Sequence, residues 1–331
     1  MEYNKLIQLL QYNDEYEEKV FMPNEVFEDL QNNISKSPHV AFAYSYIYLI
    51  TWLFRYAKYM LGQSNQVLFT QEVLKEILGY ASTEKRLNYL IKNNGLLEQM
   101  NYLETTKNYP VMAQYVTRNS DAAIHYDWEE LDEVIFTYVE DFAEEVRQIT
   151  FNTPKNFKVK RPVRAFTRTF DEEEEILDGT FYYVDRTHLI PFDVFLFCMS
   201  KEDLGCVGFY LYSYLKCKNQ LFTDGYDCPL LKLAQETGLS KRTLDKYLDN
   251  LKKYRMITAY HNQEFFAVGM RQEDRKANTY VTNEAFAFSE QPVVYEKIKT
   301  MPRKKYLEML KEKQEADESY KCDIPLDQLP F

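Results

Sequence analysis

The sequence predicts a mainly helical α+β fold with two helix-turn-helix modules in tandem, each followed by a small β wing. The main observation is a repeated order of elements: aromatic helix, short amphipathic helix, glycine, second amphipathic helix, short apolar strand. The composition agrees, since 28 Tyr and 22 Phe among 331 residues indicate densely packed cores. With 9 Gly, the chain is also poor in the glycine turns that large α/β enzymes use to hold phosphates.

The second copy of this pattern carries the sharper signal. An aromatic helix is predicted over residues 205–218, a short helix over 229–237 and a second helix over 241–254. Gly238 supplies the left-handed turn residue between the last two helices, and Ser240 is a good N-cap for the helix that follows. The apolar residues of that helix recur at the spacing of one amphipathic face, namely at Leu244, Tyr247, Leu248 and Leu251.

The opposite face of the second helix is basic. Residues 240–255 hold six basic and two acidic side chains in a protein whose net charge is -11. In a helix-turn-helix, the N-terminal residues of the second helix meet base edges in the major groove. The alternative is an ordinary solvated helix on a helical bundle. The predicted DNA contacts on this helix and its cap are Ser240, Lys241, Arg242, Thr243, Lys246, Asn250 and Lys253.

A wing is predicted after this helix. Residues 256–261 and 264–269 read as the two strands of a hairpin around Asn262-Gln263. A basic tip follows, in which Arg271 and Arg275 are predicted contacts to the DNA backbone. Helix-turn-helix plus hairpin predicts a winged helix.

The first copy is a weaker match. Its aromatic helix is predicted over 40–61, its short helix over 71–78 and its second helix over 83–93, with Gly79 at the turn and an apolar strand from Gly95. Lys85 and Arg86 are its predicted DNA contacts; the open alternative is that this copy forms a homodimer. The uncharged stretch 37–54 favours a buried core helix over a membrane span, so no membrane contact is expected.

The charge is unevenly distributed. Residues 127–145 hold nine acidic and no basic side chains, and an acidic amphipathic helix is predicted over 128–149. Residues 171–178 hold six further acidic and no basic side chains. Outside these two acidic segments, the chain has a net charge of +4. Residues 155–168 hold six basic and no acidic side chains, which predicts either a solvated linker or a strand along a phosphate backbone. The predicted DNA contacts in this stretch are Lys158, Lys160, Arg161 and Arg164.

These features predict four regions along the chain. Residues 1–150 form an N-terminal winged-helix domain, and residues 151–190 a charged connector. Residues 191–285 form the C-terminal winged-helix domain that binds DNA. Residues 286–331 form a helical tail.

Several chemistries lack any sequence support. The four histidines are far apart, so no metal is expected, and no glycine-rich phosphate loop or serine-hydrolase motif occurs. We therefore expect no enzyme and no cofactor. The odd count of 5 cysteines without close pairs, together with an N-terminus unlike a signal peptide, predicts a reduced, cytoplasmic setting.

The last residues suggest a protein partner. The segment Asp327-Gln328-Leu329-Pro330-Phe331 resembles the acidic tip of bacterial single-stranded-DNA-binding proteins, which ends in Leu-Pro-Phe or Ile-Pro-Phe. Such a segment can insert its aromatic ring into an apolar pocket while its acids meet a basic rim. Asp327, Leu329, Pro330 and Phe331 are therefore predicted to bind host replication or restart proteins; the alternative is a chance apolar terminus.

The architecture over residues 40–285 resembles the tandem winged-helix replication initiators of bacterial plasmids and mobile elements. The resemblance implies that the second module reads double-stranded origin DNA through Lys241, Arg242, Thr243 and Lys246, with Arg271 and Arg275 on the backbone. It also implies dimer contacts in the first module. A dimeric winged-helix transcriptional repressor and an acidic adaptor that mimics DNA are the alternative functions.

Overall fold

The computed structural model describes residues 1–15, 17–61, 67–116, 133–144, 146–147, 154, 157–163, 187–271 and 274–321. Within these ranges the chain folds into helices and small sheets, which is the predicted α+β class. The ranges contain no helix that is long and apolar enough to cross a membrane.

The helices of the described residues are interspersed with strands along the chain. Their bounds are α1 Tyr3–Leu10, α2 Val26–Asn33, α3 Ser37–Arg55, α4 Gln71–Ile77, α5 Asn88–Ile91, α6 Leu96–Gln99, α7 Phe192–Ser200, α8 Gly205–Leu221, α9 Leu230–Thr237, α10 Lys241–Lys253 and α11 Arg303–Lys321.

The strands form small sheets. Their bounds are β1 Lys19–Pro23, β2 Met60–Leu61, β3 Val67–Leu68, β4 Leu103–Thr106, β5 Pro110–Val116, β6 Glu133–Tyr138, β7 Val159–Pro162, β8 Thr187–Pro191, β9 Tyr226–Cys228, β10 Ile257–His261, β11 Phe265–Ala267, β12 Asn278–Thr282 and β13 Lys299–Met301. Strand β12 lies between β10 and β9 in an antiparallel sheet. The pairs β1–β8, β2–β3, β4–β7 and β5–β6 are antiparallel, whereas β11–β13 is parallel.

The centre of the molecule is aromatic. Helix α3 is buried from Val40 to Arg55, which confirms that the uncharged stretch is a core helix. It packs against α8, the aromatic helix of the second copy, and one apolar cluster runs through both copies. Trp52 of α3 stacks on Phe192 of α7, with ring centroids 4.1 Å apart. Aromatic pairs of this kind add about 0.5–1.5 kcal/mol beyond the area that they bury.

A buried histidine joins β8 to this core. The Nε2 atom of His188 lies 2.8 Å from the Tyr44 hydroxyl, and its Nδ1 atom lies 3.0 Å from the Asn24 side-chain oxygen. Burial lowers the pKa of His188 to about 3, so the ring is neutral near neutral pH. A neutral ring can donate from one nitrogen to Asn24 and accept from Tyr44 with the other, so both ring nitrogens have hydrogen-bond partners.

The second copy follows the sequence prediction closely. Helices α8, α9 and α10 begin within one residue of their expected starts. Gly238 ends α9 with φ of 64°, the left-handed conformation that glycine adopts without steric cost. In the first copy Gly79 has φ of 80°, so the left-handed turn recurs.

Four predicted elements are wrong. The acidic helix over 128–149 is replaced in most of its described part by β6, paired with β5, and a 3-10 turn at Val139–Asp141, and only residues 144, 146 and 147 of that part are α-helical. Val134, Phe136 and Tyr138 alternate along that strand, so the apolar residues also fit a strand period. The predicted helix over 83–93 is helical only in α5, and the apolar segment from Gly95 is helix α6 rather than a strand.

The predicted hairpin after α10 is the fourth error. Strand β10 pairs with β12, and β11 lies instead beside β13 from the tail. We call the described residues between β10 and β12, namely 262–271 and 274–277, the wing; they contain β11 and otherwise irregular structure. Its buried side chains Ala267 and Met270 pack with Tyr306 of α11, and this separate cluster holds β11 away from β10.

Candidate nucleic-acid interface

The start of α10 is held rigidly. The Ser240 Oγ atom accepts a hydrogen bond from the Thr243 backbone N–H at 3.2 Å and lies 2.8 Å from the Thr243 hydroxyl. This confirms Ser240 as the N-cap, a contribution of about 1 kcal/mol to helix stability. The predicted contacts Ser240 and Thr243 thus lie together at the exposed helix start.

Tyrosines of α8 and β9 fix the short helix α9. The Tyr210 hydroxyl donates to the Thr237 carbonyl at 2.9 Å, just before the turn. The Tyr214 and Tyr226 hydroxyls donate to one carboxylate oxygen of Glu236 at 2.9 and 2.6 Å. Desolvation raises the pKa of Glu236, but these hydrogen bonds outweigh it and lower the pKa. The carboxylate therefore remains an acceptor, and the turn has fixed supports on the inner side.

The first two turns of α10 present a basic surface to solvent. Leu244, Leu248 and Leu251 form the buried face of α10. Lys241, Arg242 and Lys246 are exposed on its outer side. These cations lie at the positive end of the α10 dipole, which mildly repels them. A bound anion would offset this repulsion. The three predicted residues lie together on one exposed surface, as expected.

The last two turns of α10 differ, and one predicted contact is corrected here. Asn250 is buried, with 6% of its surface exposed, and its amide donates to the Asp203 carbonyl at 2.6 Å. A buried amide with this bond has a structural role, so Asn250 is not available to read a base. Lys253 is half-buried and forms an ion pair with Asp249 at 2.6 Å.

The two predicted arginines of the wing both have partners within the protein. Arg271 Nε lies 3.0 Å from Asp274 Oδ2. The guanidinium of Arg275 donates twice to the Met270 carbonyl, at 3.1 and 2.9 Å. Both side chains are exposed, so these bonds orient the guanidinium groups without removing them from solvent.

In the first copy, the two predicted residues are differently engaged. Lys85 is exposed, whereas the Arg86 guanidinium donates to both carboxylate oxygens of Glu84, at 3.0 and 2.6 Å. Glu84 also accepts from the Arg86 backbone N–H at 2.9 Å. These hydrogen bonds lower the pKa of Glu84 to about 2. The local charge of this pair is therefore close to zero.

The basic stretch 155–168 contains strand β7, one of the two predicted structures. Lys158 is exposed, and Arg161 forms an ion pair with Glu104 on β4. Lys160 requires a correction, because its side chain is 5% exposed and its ammonium lies 2.6 Å from Glu98. Burial lowers the pKa of Lys160, partly offset by Glu98. Lys160 thus closes a buried ion pair and does not face a partner, while Arg164 lies outside the described residues.

The sequence did not indicate which residues outside the second copy form hydrogen bonds to the turn between α9 and α10. The Ser37 hydroxyl donates to the Gly238 carbonyl at 2.8 Å and accepts from the Ser240 N–H at 3.2 Å. The Gln31 amide donates to the Gln235 carbonyl. These partners are about two hundred positions away along the chain, so no local pattern could have revealed them.

The predicted partner segment lies outside the described residues, as do residues 322–331 as a whole. Within the described ranges, no group of three or more His, Cys, Asp or Glu side chains is placed to hold a metal ion. Comparison with known proteins finds no match to a protein-family profile, a curated protein or a solved structure.

Proposed function

We propose that the protein binds double-stranded DNA through α10. The observation that carries the proposal is the exposed group Lys241, Arg242 and Lys246 on the first two turns of a helix whose start is fixed by the Ser240 cap and the Gly238 turn. Arginine and lysine at such positions can form paired hydrogen bonds to guanine in the major groove. Each good base contact of this type discriminates by about 1–3 kcal/mol.

The order of elements supports a winged-helix interpretation of the second copy. Helix α8, strand β9, helices α9 and α10, and strands β10 and β12 follow one another, with β12 central in the sheet. In this arrangement α10 is the recognition helix and the wing contacts the flanking backbone through Arg271 and Arg275. The first copy keeps the helices α3, α4 and α5 and the strand pair β4–β7, and we propose that it is a modified winged helix.

The biological role that we propose is initiation of replication on a plasmid or mobile element. Two features support it: the tandem arrangement, which resembles that of known initiators, and the segment Asp327–Phe331, which resembles the tip of single-stranded-DNA-binding proteins. In this role the second copy reads the origin, the first copy contributes to a homodimer, and Leu329, Pro330 and Phe331 recruit a host replication or restart protein.

The DNA that the protein selects tests this role. Crosslinking in cells followed by sequencing of the recovered DNA is expected to give iterated repeats beside an origin. Recovery of a single operator over a promoter would instead favour the repressor. Recovery of no enriched sequence, together with no duplex binding in vitro, would contradict DNA recognition altogether.

Removal of Pro330 and Phe331 tests the partner segment separately. The deletion is expected to abolish replication of an origin-bearing plasmid while DNA affinity in a mobility-shift assay is unchanged. Gln328→Ala is the matched control and should replicate normally. Normal replication by the deletion variant would contradict the recruitment role and leave DNA binding untouched.

A further inference from the structure

The segment after the second copy runs along the recognition helix and then along the wing. We call residues 289–301 the strap. The Ser289 N–H donates to the Tyr254 carbonyl at 2.9 Å, and the Val293 N–H donates to the Lys253 carbonyl at 2.9 Å. The last carbonyls of a helix have no partner within the helix. The strap therefore completes the C-terminal end of α10.

Side chains fix the strap on the same helix. The Tyr295 hydroxyl donates to Asp249, and the Lys252 ammonium lies 4.5 Å from the centroid of the Tyr295 ring. The Lys297 ammonium lies 3.5 Å from the Asp249 oxygen that accepts from Tyr295. Desolvation raises the pKa of Asp249, but the hydrogen bonds and charges of its partners lower it to about 2. Lys253 and Lys297 both pair with Asp249 and Lys252 lies on the Tyr295 ring, so cations outnumber this carboxylate at the end of α10.

The far end of the strap is fixed on the wing. Strand β13 pairs in parallel with β11, and Tyr306 on the next turn is buried against Ala267 and Met270. The Tyr306 hydroxyl donates to Asp274 at 2.9 Å, the carboxylate that also holds Arg271. The strap consequently bridges the recognition helix and the wing.

The end of the bridge that joins the wing is strongly basic, whereas Glu290 and Glu296 nearer its start are exposed acids. Residues 297–305 hold five basic and no acidic side chains, namely Lys297, Lys299, Arg303, Lys304 and Lys305, and all five are exposed. The anchors described above involve Lys297 alone among them. Lys304 has a loose ion pair with Glu308 at 3.9 Å, and its side chain is 90% exposed. Exposed pairs of this kind stabilise a protein by at most about 1 kcal/mol, so folding does not require these charges.

We propose that residues 297–301 of the strap and the first turn of α11 contact the phosphate backbone of the duplex between the recognition helix and the wing. The bridge spans these two surfaces, because it is attached to α10 at one end and to the wing at the other. Phosphate contacts position a protein on DNA but carry no sequence information. This inference rests on the proposed function, and it adds a binding surface that the recognition helix and wing do not supply.

The test compares two triple variants, one that removes three positive charges and one that keeps them. Lys299→Ala, Lys304→Ala and Lys305→Ala remove three cations, whereas Lys299→Arg, Lys304→Arg and Lys305→Arg keep them. Fluorescence anisotropy measures duplex affinity between roughly 50 and 200 mM salt, on the selected sequence and on a scrambled one. The alanine variant is expected to lower the slope of log K against log salt by about 0.9 for each phosphate that it no longer neutralises. Binding to both sequences should weaken by the same factor, and the arginine variant should match wild type.

The outcomes separate this inference from the proposed function. Wild-type protein that binds no duplex would contradict the proposed function. Wild-type binding with an unchanged slope in the alanine variant would contradict only the strap. Binding of wild type to vesicles of phosphatidylserine and phosphatidylcholine, with no dependence of duplex binding on these lysines, would also overturn it. If the alanine variant unfolds, the single change Lys304→Glu is expected to weaken binding to both sequences equally, and unaltered binding would overturn the inference.

Discussion

The two copies of the repeated pattern share a turn but differ in the helix after it. Gly79 and Gly238 both adopt left-handed backbone angles, of 80° and 64°. After Gly238 the chain forms a helix of 13 residues, whereas after Gly79 the helical part shortens to the 4 residues of α5. The same order of residue types therefore gives a long second helix in one copy only.

The cause of the difference is local. Ser240 accepts from the N–H three residues ahead, which starts a helix. Glu84 instead accepts from the Arg86 N–H two residues ahead and from the Arg86 guanidinium. Side-chain bonds at this short spacing compete with helical backbone bonds. They also pair the Arg86 guanidinium with a carboxylate of its own copy.

The largest expected effect concerns the apolar face of α10. Leu244→Ala should lower the free energy of unfolding by about 2–5 kcal/mol, because Leu244 is fully buried and the change leaves a cavity. Leu231→Ala, at a side chain that is 62% exposed on α9, is the matched control and should change stability by about 0.5 kcal/mol or less. Urea unfolding followed by circular dichroism measures both. Equal effects would show that α10 does not pack on the core.

The acid sensitivity of the core that both copies share should come in part from His188. Its folded pKa is about 3, below the ordinary value of about 6.5, so the unfolded chain takes up a proton that the folded chain excludes. Stability should therefore fall as pH drops from about 6.5 towards 3, by about 1.4 kcal/mol per pH unit for this group. His188→Gln removes the titration. The stability difference between wild type and this variant should change with pH in that window, and a constant difference would contradict the assignment.

The helix caps give a smaller and more local comparison. Ser240→Ala should lower the free energy of unfolding by about 1 kcal/mol. Thr70 caps α4 of the first copy through a longer bond, 3.5 Å to the Val73 N–H, so Thr70→Ala should cost less. Thermal unfolding of the two variants measures the difference. A larger loss of stability for Thr70→Ala would show that the turn of the second copy is fixed by Ser37 and Gln31 rather than by its cap.

Local signals made the second copy predictable. The leucine spacing, the turn glycine and the cap all indicate the same helix bounds, and α10 begins and ends within a residue of them. Where local signals conflict, prediction failed. Leu131, Val134, Ile135 and Tyr138 fit a helix period, whereas Val134, Phe136 and Tyr138 fit a strand period. The pairing of β6 with β5 decides between them. The outer supports of the turn could not be predicted, since Ser37 meets Gly238 only after the copies pack together.

Charge patterns predicted the surface only in part. Lys160 belongs to a stretch of six basic residues, yet it is buried against Glu98, which lies 62 positions earlier. Lys241, Arg242 and Lys246 remain exposed because the apolar face of α10 is buried and they lie on its outer side. A basic side chain reaches a partner only if no acid within the fold meets it first, and that depends on tertiary contacts.

The central claim is that the second copy, and not the first, reads DNA. The most direct measurement compares two double variants by mobility shift on duplex DNA from the selected site. Lys241→Ala with Arg242→Ala should weaken binding by about 1–3 kcal/mol for each base that is no longer recognised and should reduce the preference over scrambled DNA. Lys85→Ala with Arg86→Ala should retain that preference. Equal loss of preference in both variants, or retention in both, would contradict the claim.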